Sequence, residues 1–172
     1  MEPFKRKPTR LKDYDYSRPG AYFITVCVKG GKKLLSEIIL NKKSVGDGVL
    51  DVPENKLSKY GLIAQKHLSA MMSFYEDIKI TKYVIMPNHI HMLVEIVEVN
   101  KAKGTSRTPS PTNSRIAQLI STFKRFCNRE YGENIWQRLS HDHIIRGKAD
   151  YEKIWNYIDT NVLRWELDCF YE

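Results

Sequence analysis

The chain has 172 residues, 42% hydrophobic and 28% charged, enough for one sizeable core and short for two. No run of about 18 apolar residues occurs, which argues against a membrane span. The polar, basic N-terminus has no apolar stretch of the secretory kind. Lys and Arg number 28 against 20 Asp and Glu, and the net charge of +8 favours a polyanionic partner. Cys27, Cys127 and Cys169 are widely spaced with no C-x-x-C, the pattern of reduced thiols in a cytoplasmic protein.

Residues 1–18 carry Lys5, Arg6, Lys7, Arg10, Lys12 and Arg18 and read as a basic flexible arm, with residues 19–172 as a single domain. Ala21 to Lys29 alternates and is rich in aromatic and β-branched residues, which predicts the first strand. Leu34 to Leu50 has two short apolar runs around Asn41-Lys42-Lys43 and Gly46-Asp47-Gly48, which predicts a small accessory hairpin. Lys56 to Met72 places Leu57, Tyr60, Ile63, Ala64, His67, Leu68 and Met71 at helical spacing. His67 lies on that apolar face and reads as a core or boundary residue.

Ile78 to Met86 and His89 to Val97 read as two strands joined sharply at Pro87-Asn88, where a residue without an N–H is tolerated. Residues 100–113, with Gly104, Pro109 and Pro111 among serines and threonines, read as a flexible internal loop. Ser114 is the expected N-cap of a helix reaching Tyr131, with Ile116, Leu119, Ile120, Phe123, Phe126 and Cys127 as its apolar stripe. Residues 100–129 hold seven basic side chains and no acid. Lys124 and Arg125 fall off the stripe, free to face nucleic acid, and Arg115 lies near its start. Lys5, Arg6, Arg18, Arg115, Lys124 and Arg125, interleaved with aromatic residues, are the candidate DNA contacts: cations for phosphates and rings for unpaired bases. His141 to Arg146 is a fourth strand, and Lys148 to about Asn161 a last helix. This order predicts an α+β, ferredoxin-like antiparallel sheet of about four strands with helices on one face, plus the accessory hairpin.

The most informative stretch is Tyr83 to Ile96, an apolar strand interrupted by His89 and His91. The strand period of two sends both imidazoles to one face, and Ile90, Met92, Val94 and Ile96 to the other. Two imidazoles side by side on a rigid strand suit a divalent metal, and ligand preference alone admits zinc. His141-Asp142-His143 repeats the spacing, so spacing alone leaves open which pair would hold a metal. In the last helix Tyr157 and Asn161 are four residues apart and share a face. Tyr151 lies in the same helix without an amide or acid four residues later.

The run Met86-Pro87-Asn88-His89-Ile90-His91 resembles the central motif of the REP-associated tyrosine transposases, within the HUH single-tyrosine transposases. Gly20 to Val26 resembles their first strand. Ile135 to Arg138, His141 to Arg146 and Tyr157 to Asn161 resemble their C-terminal half. The order holds from about residue 18 to the C-terminus. Two departures stand out: Val162 follows Asn161 where the family often has proline, and Ser140 precedes His141 where an aromatic residue is common.

The resemblance implies that residues 19–172 form one catalytic domain. It makes Tyr157 the nucleophile, with Tyr151 as the alternative, and His89, His91 and Asn161 the ligands of Mg2+ or Mn2+. His141 and His143 then border the site. The implied activity is a transposase or nickase forming a 5′-phosphotyrosine link at hairpin-bearing single-stranded DNA, the protein being a monomer or homodimer. Two readings of another class stay open: a structured DNA- or RNA-binding protein that does not cut, and a metal phosphodiesterase in which water attacks.

Overall fold

The computed structural model describes residues 14–45, 48–98 and 114–171, apart from the side chains of 42–51. Residues 1–13, with Lys5 and Arg6, and the internal loop 100–113 lie outside the described residues. The elements in chain order are β1 (Gly20–Cys27), β2 (Ser36–Val45), β3 (Gly48–Leu57), α1 (Lys59–Phe74), β4 (Ile78–Ile85), β5 (His89–Ile96), α2 (Arg115–Tyr131), β6 (His141–Ile144) and α3 (Lys148–Thr160). A short 3-10 segment, Val162–Leu167, follows α3.

The main sheet has the order β4-β5-β1-β6, every neighbouring pair antiparallel, and β2 and β3 form a separate hairpin. The expected α+β class with its four-stranded antiparallel sheet is therefore present. β1 and β5 pair along their whole lengths, Gly20 opposite Ile96 and Cys27 opposite His89. Strict alternation then sorts their side chains. Tyr22, Ile24 and Val26 join Ile90, Met92, Val94 and Ile96 in the larger core, where Ala64, Leu68 and Met71 of α1 and Ile116, Leu119, Ile120 and Phe123 of α2 cover them.

The helices do not all share that face. Ile154 and Ile158 of α3 pack on Leu93 and, with Phe23 and Val84, form a second cluster on the opposite side of the sheet. The reason is space. α1 and α2 already fill the first face, while the apolar stripe of α3 must be buried somewhere. β5 is covered on both sides as a result, and Glu95 is its one residue outside the buried class.

The local chemistry explains the boundaries. Ser58 caps α1, its hydroxyl accepting from the Gly61 N–H, so the helix starts later than Lys56. Lys56 and Leu57 belong instead to β3, because the accessory hairpin is longer than its apolar runs suggest. Gly61 is required by a close approach: an added Cβ would lie 2.1 Å from the Leu35 carbonyl oxygen. Ser114 caps α2 as expected, accepting from the Ala117 N–H, and Gly132 ends it at φ 78°. Residues 14–18 are no loose arm: Tyr16 is buried and packs on Tyr22, whose hydroxyl donates to the Arg18 carbonyl.

Candidate functional site

β5 presents His89 and His91 on the α3 side of the sheet, both almost fully buried. Their Nε2 atoms stand 2.9 Å apart. Each Nδ1 has its own partner. Asn88 donates from Nδ2 to the Phe170 carbonyl at 2.7 Å, which turns its Oδ1 toward His89 Nδ1 at 2.8 Å. His89 must then carry its proton on Nδ1, leaving the Nε2 lone pair as an acceptor that faces His91. His91 Nδ1 lies 2.8 Å from the Thr25 hydroxyl, which can accept or donate. Thr25 faces His91 because the two are register partners across β1 and β5.

Burial drives both imidazoles toward the neutral form. The His89 pKa is lowered to about 3 by desolvation and by the neighbouring His91. That of His91 is lowered by desolvation, against the opposing pull of Asp168. Neutral imidazole is the form that binds a metal.

The third member is Asp168. Its Oδ2 lies 3.8 Å from His91 Nε2 and 4.0 Å from His89 Nε2. Burial opposes its ionisation, but the nearby His91 imidazole and hydrogen bonds from the Phe170 N–H, Asn161 and Tyr157 outweigh it and hold the carboxyl well below the usual range. One ligand atom from each of His89, His91 and Asp168 lies within 4.8 Å of the others. Two imidazole nitrogens and a carboxylate oxygen suit a divalent first-row metal or magnesium and leave coordination positions open.

Asn161 caps the end of α3 and is buried. Its Nδ2 donates to Asp168 Oδ2 at 2.8 Å, and its Oδ1 is buried with no hydrogen-bond partner. An orphaned acceptor and an imidazole lone pair beside a carboxylate are the donor set a cation would satisfy. Tyr157 completes the group, its hydroxyl donating to Asp168 Oδ2 at 2.8 Å and standing 3.2 Å from His91 Nε2. Burial and the Asp168 carboxylate raise its pKa well above the ordinary phenol value. Phe23 stacks on His91, and the Phe170 ring lies 4.7 Å from that of His89 and 6.0 Å from that of His91.

The structure thus brings His89, His91, Tyr157 and Asn161 together and keeps other candidates apart. Tyr151 donates to Glu95 Oε1 at 2.7 Å, further along β5. His143 Nε2 pairs with Asp150 at 2.9 Å, and the His141 ring borders Phe170 at 5.9 Å. Asp142 accepts from the Ser140 hydroxyl, and its position on β6 puts it on the other face from His141 and His143.

The basic candidates divide. Arg18 and Arg125 are exposed. Lys124 does not face outward as expected: its ammonium donates to the Gln137 carbonyl at 2.8 Å and lies 3.5 Å from those of Arg138 and Leu139. Arg115 is likewise engaged, paired with Asp77 and lying over the Tyr75 ring. Both are drawn inward because backbone carbonyls and a carboxylate converge on them at the helix surface.

Asp168 escaped the sequence reading. Its one signal is an acid set among Trp165, Leu167 and Phe170 in an apolar tail, with no spacing that ties it to the histidines. The chain continues from Asn161 through Val162 into the 3-10 segment Val162–Leu167, after which Asp168 meets the histidines.

A ferredoxin-like sheet with two histidines on a central strand and a tyrosine on the covering helix defines the class, an α+β domain with the fold of a tyrosine transposase. Its fold is similar to the solved structure of a REP-associated tyrosine transposase bound to a REP hairpin, at a TM-score of 0.58 and 17% identity over 96% of this chain and 74% of that one. The chain is 30% identical over 179 residues to an uncharacterized protein of Haemophilus influenzae, covering 96% of this chain and 93% of that protein, and belongs to one family with that protein. No family model matches the chain.

Proposed function

We propose that this protein is a metal-dependent, HUH-type transposase or nickase that cuts single-stranded DNA bearing hairpins, with Tyr157 as nucleophile. The observation that carries the reading is the placement of the Tyr157 hydroxyl, 2.8 Å from Asp168 Oδ2 and 3.2 Å from His91 Nε2. The likeness in fold to a transposase bound to hairpin DNA supports it.

His89, His91 and Asp168, with Asn161 beside them, are the residues that would hold Mg2+ or Mn2+. When bound, the cation supplies positive charge that polarises the scissile phosphate and stabilises the oxygens around it. Tyr157 Oη attacks the phosphorus, oriented by its hydrogen bond to the Asp168 carboxylate, and its proton is released to solvent. A new P–O bond forms, the bond to the 3′-oxygen breaks, and that oxygen leaves with the electron pair and takes up a proton. The products are a 5′-phosphotyrosine and a free 3′-hydroxyl. The ester conserves the bond, so rejoining is the reverse step. Positioning and electrostatics carry most of such a transfer. The exposed Arg18 and Arg125 are candidate phosphate contacts. Among the described residues no helix is long and apolar enough to cross a membrane. Cys27 and Cys127 are buried free thiols, which suits a reducing cytoplasm.

The test is incubation of the protein with hairpin-bearing oligonucleotides and Mn2+, followed by denaturing gels. Wild type should give a covalent protein–DNA adduct and a cut strand, and Tyr157→Phe should give neither. Cutting without an adduct in both proteins would establish attack by water. Binding without cutting in any version would make the protein a binding module.

A further inference from the structure

A cavity of about 550 Å³ lies beside the histidine site, between the root of the β2–β3 hairpin and the 3-10 segment, with Lys33, Glu37, Lys56, Pro87 and Trp165 on its walls. That volume is in the range of small-ligand pockets. The walls are anchored. The Leu35 N–H donates to the Pro87 carbonyl at 2.9 Å, and the Asn55 side-chain amide to that of Ile85 at 2.6 Å. The serines of the lining are already committed: Ser36 donates to the Ile85 carbonyl and Ser58 to that of Leu34. What remains to meet a ligand is an indole, a proline, the aliphatic side chains of Leu34, Ile38 and Leu57, one carboxylate and two ammonium groups, of which that of Lys33 lies over the Tyr171 ring at 4.9 Å.

The cavity shares its walls with the site. Pro87 precedes His89 by two residues, and the Trp165 ring stands 6.0 Å from that of His89. Lys33, Glu37 and Lys56 are exposed, and Glu37 faces Lys56 across the hairpin ladder. Cations at a rim beside an aromatic wall match the chemistry of an unpaired nucleotide, ammonium to phosphate and ring to base. A carboxylate only accepts hydrogen bonds, so it meets the exocyclic amine of cytosine, whereas thymine offers it one imide N–H flanked by two carbonyl oxygens that repel it.

We propose that this cavity holds one unpaired nucleotide of the DNA strand next to the scissile phosphate, Lys33 and Lys56 binding its phosphates, Trp165 its base, and Glu37 selecting a base that carries an amine. The proposal rests on the reading of the protein as a single-strand DNA enzyme. Fluorescence anisotropy of the full chain in EDTA tests it without cleavage, using labelled oligo(dC) and oligo(dT) of about 15 nucleotides. Wild type should bind oligo(dC) about tenfold more tightly than oligo(dT), as one base-edge contact allows. Glu37→Gln should abolish that preference while keeping affinity. Lys33→Glu with Lys56→Glu should weaken both ligands about tenfold or more by removing phosphate contacts. All three positions are exposed, so the variants should fold, which circular dichroism verifies. Tight binding with no base preference, a preference that survives Glu37→Gln, or a double lysine variant that binds as wild type would each overturn the pocket and leave the DNA reading standing. A wild-type protein that binds neither strand would overturn the pocket, and one that also fails to bind a hairpin-bearing oligonucleotide would overturn the DNA reading with it.

Discussion

At the scale of single residues, the site depends on proton placement. His89 is held in one tautomer by Asn88, whereas Thr25 can serve His91 in either. Without a cation, His91 can donate from Nε2 to His89; with one, it must give up that proton and donate from Nδ1 to Thr25. Thr25→Val removes the hydroxyl and keeps the shape. It should lower Mn2+ affinity about 10- to 100-fold, the usual cost of losing such an orienting partner, as isothermal titration would show. His89→Ala and His91→Ala should abolish Mn2+ binding in the same assay, and His141→Ala and His143→Ala should leave most of it. Tyr157→Phe should keep metal affinity while losing the adduct, at a stability cost of about 1 kcal/mol for the hydrogen bond to Asp168.

Lys124 and Arg125 are sequence neighbours with opposite fates. Lys124→Ala should lower the melting temperature, because it leaves the carbonyls after Ile135-Trp136 with fewer partners. Arg125→Ala should leave the melting temperature unchanged. If it contacts a phosphate, it should flatten the log–log salt dependence of single-strand binding by about 0.7. An unchanged slope would show that this guanidinium faces away from DNA.

At the scale of elements, the strand β5 and the tail after α3 build the site between them. β5 is rigid, paired on both sides and buried on both faces. The tail is a short 3-10 segment and a few irregular residues, yet it supplies Asp168 and sets Phe170 over the histidines. Phe170→Ala should therefore speed modification of His89 and His91 by diethylpyrocarbonate, read by peptide mass spectrometry. Reactivity equal to wild type would mean that other groups shield the rings. The first H-x-H was legible in the sequence because strand period and apolar alternation are local properties. Asn161 was legible as a neighbour of Tyr157 because helix period is local too. Asp168 was not, since the 3-10 path that returns it to the sheet has no signature of its own.

At the scale of the whole molecule, burying two neutral histidines ties stability to pH. The folded pKa of His89 is about 3, below the ordinary value of 6.5, so between those values the unfolded chain binds more protons. Metal-free protein should hold its full His89 contribution above about pH 6.5 and lose it as pH falls toward 3, by up to about 1.4 kcal/mol per pH unit. Asp168, whose pKa is also depressed, adds to the loss at lower pH still. Denaturant unfolding in EDTA across that range measures the slope, and a flat profile would contradict the burial of His89.

The sequence by itself determined the α+β class, the β5 strand with both imidazoles on one face, the Ser114 cap and the amphipathic helices. Each of these follows from periodicity and capping within a few residues, where backbone geometry alone decides which side chains meet. Only the tertiary structure decided that α3 crosses to the second face, that Tyr157 rather than Tyr151 meets the histidines, that Asp168 closes the cluster, and that Lys124 turns inward. These depend on which surfaces are already filled and on contacts between residues far apart in the chain, and no local pattern encodes them.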